Sequence, residues 1–379
     1  MKVTIVCDVL GEENNGTTIA TMNLIRSLKS KGHEVRVICP DENRRGEEGF
    51  YVVPLLSFGP LNEYVRKNGV VIAKADKTVI CEAIDGVDIV HIMIPFSLGR
   101  KAAKIAKEKN IPVSAGFHAM AENLTTHIFM KNIGLVNRLT YSYYHGMYKY
   151  VDAIHYPTQY LRDLYEKLYG KTNGYVISNG VSSAFHKIPT EKPEQFKDKF
   201  VILFTGRYSG EKSHDVLIDA VALSEYKDKI QLIFAGAGPK KEKLEKLSQK
   251  LPVKPIFAFF SRDDMIKTIN YSDLYVHPAE IEAEGIACLE AISCGLVPVI
   301  SDSPRCATKM YALDDMNKFI YNKPADLAKK IDYWISHPDE KAKRSAEYEK
   351  YAQNLLSLDA CMDRMEQMLT ETAGMKARS

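Results

Sequence analysis

The chain has 379 residues, 45% of them hydrophobic and 26% charged, with a formal net charge of +3. That length exceeds one ordinary core and suits two domains; the composition excludes a disordered or fibrous chain, and the small charge gives no argument for nucleic acid. The seven cysteines are odd in number and include no C-x-x-C pair, so reduced core thiols are expected instead of a disulfide framework or a zinc site.

The opening "MKVTIVCDVL" lacks the longer apolar region of a signal peptide and reads as a first β-strand. "GTTIATMNLIRSLKSKG" has apolar residues at helical spacing and ends at Gly32; "HEVRVICP" is the next strand. Then come "VDIVHIMI", a basic helix around "GRKAAKIAKEKN", and "IPVSAGF". This alternation predicts a parallel sheet with helices on both faces. A polar segment from His186 to Lys199 reads as a linker, after which the rhythm restarts with "FVILFTGR", "SHDVLIDAVALSEY", "IQLIFAGAG" and "KKEKLEKLSQKL". "VKPIFAFF", "DDMIKTINYS", "DLYVHPA", "ACLEAISCG" and "VPVISD" follow, and the end of the chain is helical in pattern. The expected architecture is α/β, with two facing doubly wound domains: 1–185, a linker 186–199, 200–355, and a C-terminal helix 356–379 returning toward the first domain. Ligands of such sheets lie outside the carboxyl ends of the strands. No run of about eighteen apolar residues occurs, so membrane contact is expected to be peripheral.

Two stretches carry charge where a ligand would meet it. In "FTGRYSGEKSHDVLI" a strand leads to Gly206 and Arg207, and Lys212 precedes a helix; two cations and free N–H groups suit a diphosphate, although a solvated loop fits the same residues. In "EIEAEGIACLEAISCGLVPVISDS" a helix is expected from Gly285 through Ile292. Its first N–H groups, at Gly285, Ile286 and Ala287, face outward, with Glu282 in the preceding loop and Glu290 in the second turn. Carboxylates accept paired hydrogen bonds from vicinal hydroxyls, and a buried one needs a partner. A helix-dipole charge or a solvated face are the alternatives.

The pair Glu282 and Glu290 in "EAEGIACLEAISCGLVPV" resembles the E-x7-E motif of the family-4 retaining glycosyltransferases of the GT-B fold, which have two Rossmann-like domains. "NNGTTIATMNLIRSLKSKGHEVRVI" looks like the N-terminal glycine loop and first helix, "AGFH" like the first-domain histidine, "YVISNGV" like the segment before the linker, "FTGRYSGEK" like the phosphate loop, and "LIFAGAGP" like the G-x-G-P turn. The resemblance implies transfer of a hexose from a UDP-sugar, UDP-glucose first, with no cofactor. It implies that Arg207 and Lys212 hold the diphosphate, that Glu290 binds the ribose and that Glu282 meets the transferred sugar. Gly16 and Thr17 would approach the phosphate, His118 would lie by the sugar, and Phe260, Ser261 and Arg262 would meet the base. On its residues alone His118 also fits a packed or capping histidine. No D-x-D triplet occurs, so a metal is not expected and fixed cations would stabilise the leaving diphosphate. The chain departs from the family pattern at Glu284, at Ser182, and in Asn14-Asn15-Gly16.

Between Arg100 and Lys149 there are eight basic residues, among them Arg100, Lys101, Lys104, Lys131 and Arg138, against two acidic ones. Interleaved apolar and aromatic residues suit an anionic bilayer surface, and a core stripe with a solvated charged face fits the same pattern. Several stretches resemble the lipid-directed branch, which includes bacterial diacylglycerol and sterol α-glucosyltransferases. The expectation is therefore a lipid acceptor, diacylglycerol first, at the cytoplasmic face of the cell membrane. A soluble or polyprenyl-linked glycan acceptor, a sugar-nucleotide epimerase and a non-catalytic subunit are the rival readings.

Overall fold

A computed structural model describes residues 1–11, 16–57, 59, 72–126 and 132–375. The chain divides into two units, Met1–Asn179 with Asp359–Ser379, and Gly180–Leu358.

In the first unit, β1 (Lys2–Val6), α1 (Gly16–Ser30), β2 (Glu34–Cys39) and β3 (Phe50–Val52) are followed by α2 (Lys77–Ala83), β4 (Ile89–Ile92) and α3 (Ser97–Glu108). Then come β5 (Val113–Gly116), α4 (Ala121–Thr126), α5 (Gly134–Tyr148), β6 (Ala153–Tyr156), α6 (Gln159–Tyr169) and β7 (Gly174–Val176). The sheet order is β3-β2-β1-β4-β5-β6-β7, and every pairing is parallel. Strands such as "IVHI" are buried along their whole length, as both-face burial in a parallel sheet requires.

In the second unit, β8 (Phe200–Thr205), α7 (His214–Leu223), β9 (Ile230–Ala235), α8 (Lys241–Leu247), β10 (Ile256–Ala258) and α9 (Arg262–Tyr271) form the first half. The second half has β11 (Leu274–His277), β12 (Ile281–Glu282), α10 (Ile286–Ser293), β13 (Pro298–Ser301), β14 (Arg305–Cys306), β15 (Lys318–Phe319), α11 (Pro324–Ser336) and α12 (Pro338–Leu355). The main sheet runs β10-β9-β8-β11-β13-β15, so its strand order reverses between β8 and β11. That reversal is where a doubly wound sheet opens a crevice at its carboxyl edge. The segment expected as a linker is attached to this unit. Phe196 is buried in its core, and Lys192 Nζ lies 2.6 Å from Asp273 Oδ2.

The chain closes with α13 (Leu358–Gly374), which packs on the first unit: Glu366 accepts from Lys31 Nζ at 2.6 Å and lies 2.7 Å from His33 Nε2. Residues 356 and 357 separate it from α12, so the helical pattern at the end of the sequence is two helices. Among the described residues no helix is long and apolar enough to cross a membrane.

Candidate active site

The loop after β8 is held from below by the end of β9. Gly206 N–H donates to Ala235 O at 2.9 Å and Tyr208 N–H to Ala237 O at 2.9 Å. The two chains run so close that a Cβ on Gly236 would stand 2.2 Å from Gly206 O, so this turn needs glycine. Arg207 sits between these anchors, half-buried, and its guanidinium makes no hydrogen bond or ion pair among the described residues. Six residues on, Ser213 adopts φ +49° and turns the chain into α7, directly after Lys212.

Lys212 forms an ion pair with Glu282. Glu282 was expected in a loop; it lies instead in the two-residue strand β12, paired in parallel with Arg305–Cys306, and this pairing holds its backbone in place. Its Oε2 also lies 3.5 Å from Nε2 of the buried His277, the last residue of β11. Thr308 Oγ1 lies 3.5 Å from the same nitrogen and donates to Glu284 O at 2.9 Å. Burial works to raise the Glu282 carboxyl, but the Lys212 charge and His277 outweigh it and hold the group down at about 2. Burial lowers Lys212, yet Glu282 carries it above the usual lysine value. Burial, with Lys212 adding to it, lowers His277 and keeps the ring neutral against the pull of Glu282.

Gly285 (φ +85°) begins α10, and no side chain caps that end. A Cβ at Gly285 would stand 2.4 Å from Thr308 Oγ1 and 3.3 Å from Glu282 Cγ, so Gly285 allows both side chains their places. Ile286 and Ala287 remain partly exposed at the helix start. Glu290, one turn further on, retains some exposed surface but is closely ringed by other atoms. Burial pushes its carboxyl up to about 7, against the lowering influence of Arg262, and it accepts no hydrogen bond among the described residues.

Arg262 opens α9 with Ser261 as its N-cap; Ser261 Oγ accepts from Asp264 N–H at 3.2 Å. Arg262 Nη2 donates to Ser182 Oγ at 2.6 Å, which gives the unusual Ser182 a structural partner. Phe260 packs against the core, whereas its neighbour Phe259 is 79% exposed.

The remaining predicted residues belong to the first unit. Gly16 and Thr17 form the first turn of α1, where Thr17 O accepts from Thr21 Oγ1 at 2.7 Å; Asn14 and Asn15 lie outside the described residues. His118 follows β5, its ring 5.1 Å from that of His155, and its Nε2 is buried without a hydrogen-bond partner. Burial, then His155 and His91, hold it well below the usual histidine value. The expected basic face is divided. Arg100 lies over the Tyr143 ring at 5.1 Å and Lys101 Nζ reaches Ala75 O at 3.5 Å, whereas Lys104 and Arg138 are exposed and Lys131 lies outside the described residues. On α5, Leu135 (68%), Leu139 (62%) and Tyr143 (41%) form an exposed apolar stripe at four-residue spacing.

Residues 14–185 match the model of "Glycosyltransferase Family 4" and residues 187–354 that of "Glycosyl transferases group 1". The chain belongs to the family-4 glycosyltransferases. It is 23% identical over 361 residues to an alpha-monoglucosyldiacylglycerol synthase of Acholeplasma laidlawii, covering 86% of each chain. It is 27% identical over 267 residues to the synthase of that name from Streptococcus pneumoniae, a match over 66% of this chain and 60% of that protein's length. The structure of Anabaena Alr3699/HepE in complex with UDP and glucose superposes with a TM-score of 0.74 at 15% identity, over 98% of this chain and all of that one. That likeness identifies the fold as GT-B.

Within the second unit of this glycosyltransferase, Lys212, Glu282 and Gly285 meet directly, and Arg262 and Glu290 interact. Sequence reasoning missed His277 and Thr308. His277 was visible as the one histidine in "LYVHP", at the carboxyl end of a predicted buried strand; Thr308 left no signal, because a turn distant in sequence delivers it. Among the described residues no group of three or more His, Cys, Asp and Glu could hold a metal ion.

Proposed function

We propose that this chain transfers a hexose, glucose first, from a UDP-sugar to a membrane lipid, diacylglycerol first, with retention of configuration. Residues 200–355 would bind the donor and residues 1–185 the acceptor. The observation that carries this reading is that, among the described residues, the Arg207 guanidinium and the Glu290 carboxyl have no hydrogen-bond partner, in a unit whose α10 start is uncapped. A nucleotide-sugar supplies both counterparts: a diphosphate for Arg207, Lys212 and the N–H groups of Ile286 and Ala287, and ribose hydroxyls for Glu290. Phe260, Ser261 and Arg262 would border the base, and Glu282 would accept from hydroxyls of the transferred sugar. Gly16, Thr17 and His118 would complete the site from the first unit.

In the reaction the bond between the anomeric carbon and the β-phosphate oxygen breaks as the acceptor oxygen bonds to that carbon from the same face. The acceptor's proton passes to the departing phosphate oxygen, leaving UDP and an α-glycolipid. Arg207, Lys212 and the helix amides take up the growing negative charge without reorganising, so no divalent ion is required.

The lipid acceptor is supported by the exposed stripe of Leu135, Leu139 and Tyr143 flanked by Arg138, and by relatives named as glucosyldiacylglycerol synthases. Apolar residues with nearby cations suit an anionic bilayer at the cytoplasmic face. A product assay with a panel of UDP-sugars, with and without extracted lipids, tests the reading. Labelled α-glycolipid together with free UDP is the expected result. An altered UDP-hexose formed without lipid would replace it with epimerisation, and transfer to water-soluble glycans alone would remove the membrane lipid. Binding to anionic liposomes, weakened by added salt and by Leu139→Glu, is the expected companion result.

A further inference from the structure

Three contacts fix a proton that no one of them fixes alone. The Glu282 carboxylate is ionised and accepts only, so the ring nitrogen 3.5 Å from its Oε2 must carry hydrogen for the pair to attract. Thr308 has one hydroxyl hydrogen, and it is given to Glu284 O at 2.9 Å; toward His277 Nε2, 3.5 Å away, its oxygen can therefore only accept. The other ring nitrogen, Nδ1, is buried with no hydrogen-bond partner, where a proton would leave a donor unsatisfied. All three place the single proton of the neutral ring on Nε2, shared between Glu282 and Thr308.

We propose that Thr308 is a positioning residue for Glu282, acting through the Nε2-protonated tautomer of His277. The hydroxyl is itself anchored by its bond to Glu284 O and holds the ring, and the ring holds the carboxylate that meets the transferred sugar, a role that rests on the function proposed above. The backbone agrees with this arrangement: Gly285 leaves room for Thr308, whose oxygen a Cβ would approach to 2.4 Å.

The test uses the full chain with 15N-labelled histidine. His277→Gln assigns the ring signals, and Thr308→Val and Thr308→Ser are the working variants. The wild-type spectrum at neutral pH is expected to show hydrogen on Nε2 and a bare Nδ1. Thr308→Val is expected to lower kcat for sugar transfer about tenfold with the KM for donor held within about twofold, and Thr308→Ser to restore it. A proton on Nδ1 in the wild type overturns the proposal, and so does a valine variant with wild-type kcat. Because the spectrum is recorded on free protein, it decides the His277 tautomer, and its change in Thr308→Val the contact with Thr308, even if Glu282 proves not to meet the sugar; the rate measurement decides the consequence for transfer.

Discussion

Both sheets run their first six strands in the same order and reverse direction at the same place, yet their two switch points are finished with opposite charges. In the first unit Asp8 stands two residues beyond the end of β1, and its buried carboxylate accepts from Leu98 N–H at 2.9 Å and Gly99 N–H at 3.0 Å, at the start of α3. In the second unit the residue two beyond β8 is Arg207, and the corresponding helix start, at α10, has no side-chain cap. A helix start carries partial positive charge. The first unit meets that charge with its own carboxylate. The second leaves its helix start uncapped, with Lys212 reaching it through Glu282, and in the function proposed above an external anion completes it. Under the function proposed above, the same fold serves as a scaffold in one unit and as a phosphate site in the other, according to one position per sheet.

The largest effect is expected where the second switch point would do chemistry. Lys212→Ala removes a preorganised cation and leaves Glu282 buried without its ion-pair partner. Turnover should fall about 100- to 1000-fold, about 2.7–4 kcal/mol in the barrier, in initial rates of UDP release. A loss below about threefold would mean that the second switch point is not the reacting one.

The next experiment tests the first switch point. Asp8→Ala should lower stability by about 1–3 kcal/mol, since two buried N–H donors lose their acceptor. Denaturant unfolding reads this directly, and UDP affinity should be unchanged. Burial pushes the Asp8 carboxyl up to about 7 against those two N–H bonds, from an ordinary value of 3.8. Between those values the folded protein binds more protons than the unfolded chain. Its contribution is therefore present below pH 3.8 and is lost as pH rises through about 7. Asp8→Asn should flatten that fall, and stability that rises with pH only in the wild type would contradict it.

The contrast between the two switch points was only half legible in the sequence. The strands and helices were, because apolar runs bounded by glycine and charge can pack in few ways, and "VDIVHIMI" and "VPVISD" admit little but buried parallel strands. The Lys212–Glu282 pairing was partly legible too, since Arg207, Lys212 and Glu282 are charged residues in an interior-like context. Asp8 was passed over because it reads as the polar end of a strand, and its partners lie 90 and 91 residues away. Thr308 was passed over for the same reason, and the short pairing of β12 with β14 was invisible because two residues carry no periodicity. What escaped is the set of contacts made by single side chains across long stretches of chain.

Glu290 gives the smallest effect and the sharpest distinction between the two units. Both Asp8 and Glu290 are carboxyls that burial pushes up to about 7, but Asp8 has two amide partners of its own whereas Glu290 has none among the described residues. If a ribose supplies them, UDP must bind best when Glu290 is ionised, because hydroxyls then donate to both of its oxygens. Affinity for UDP should therefore rise as pH increases through about 7. Glu290→Gln should weaken binding by about 1–2 kcal/mol, since one acceptor becomes a donor facing hydroxyls, and should remove that dependence. Calorimetric titrations at several pH values on either side of neutrality measure both. A wild-type affinity that is flat with pH, or a glutamine variant that binds as tightly, would mean the second carboxyl is as internal as the first, and the asymmetry between the switch points would then rest on Arg207 and Lys212 alone.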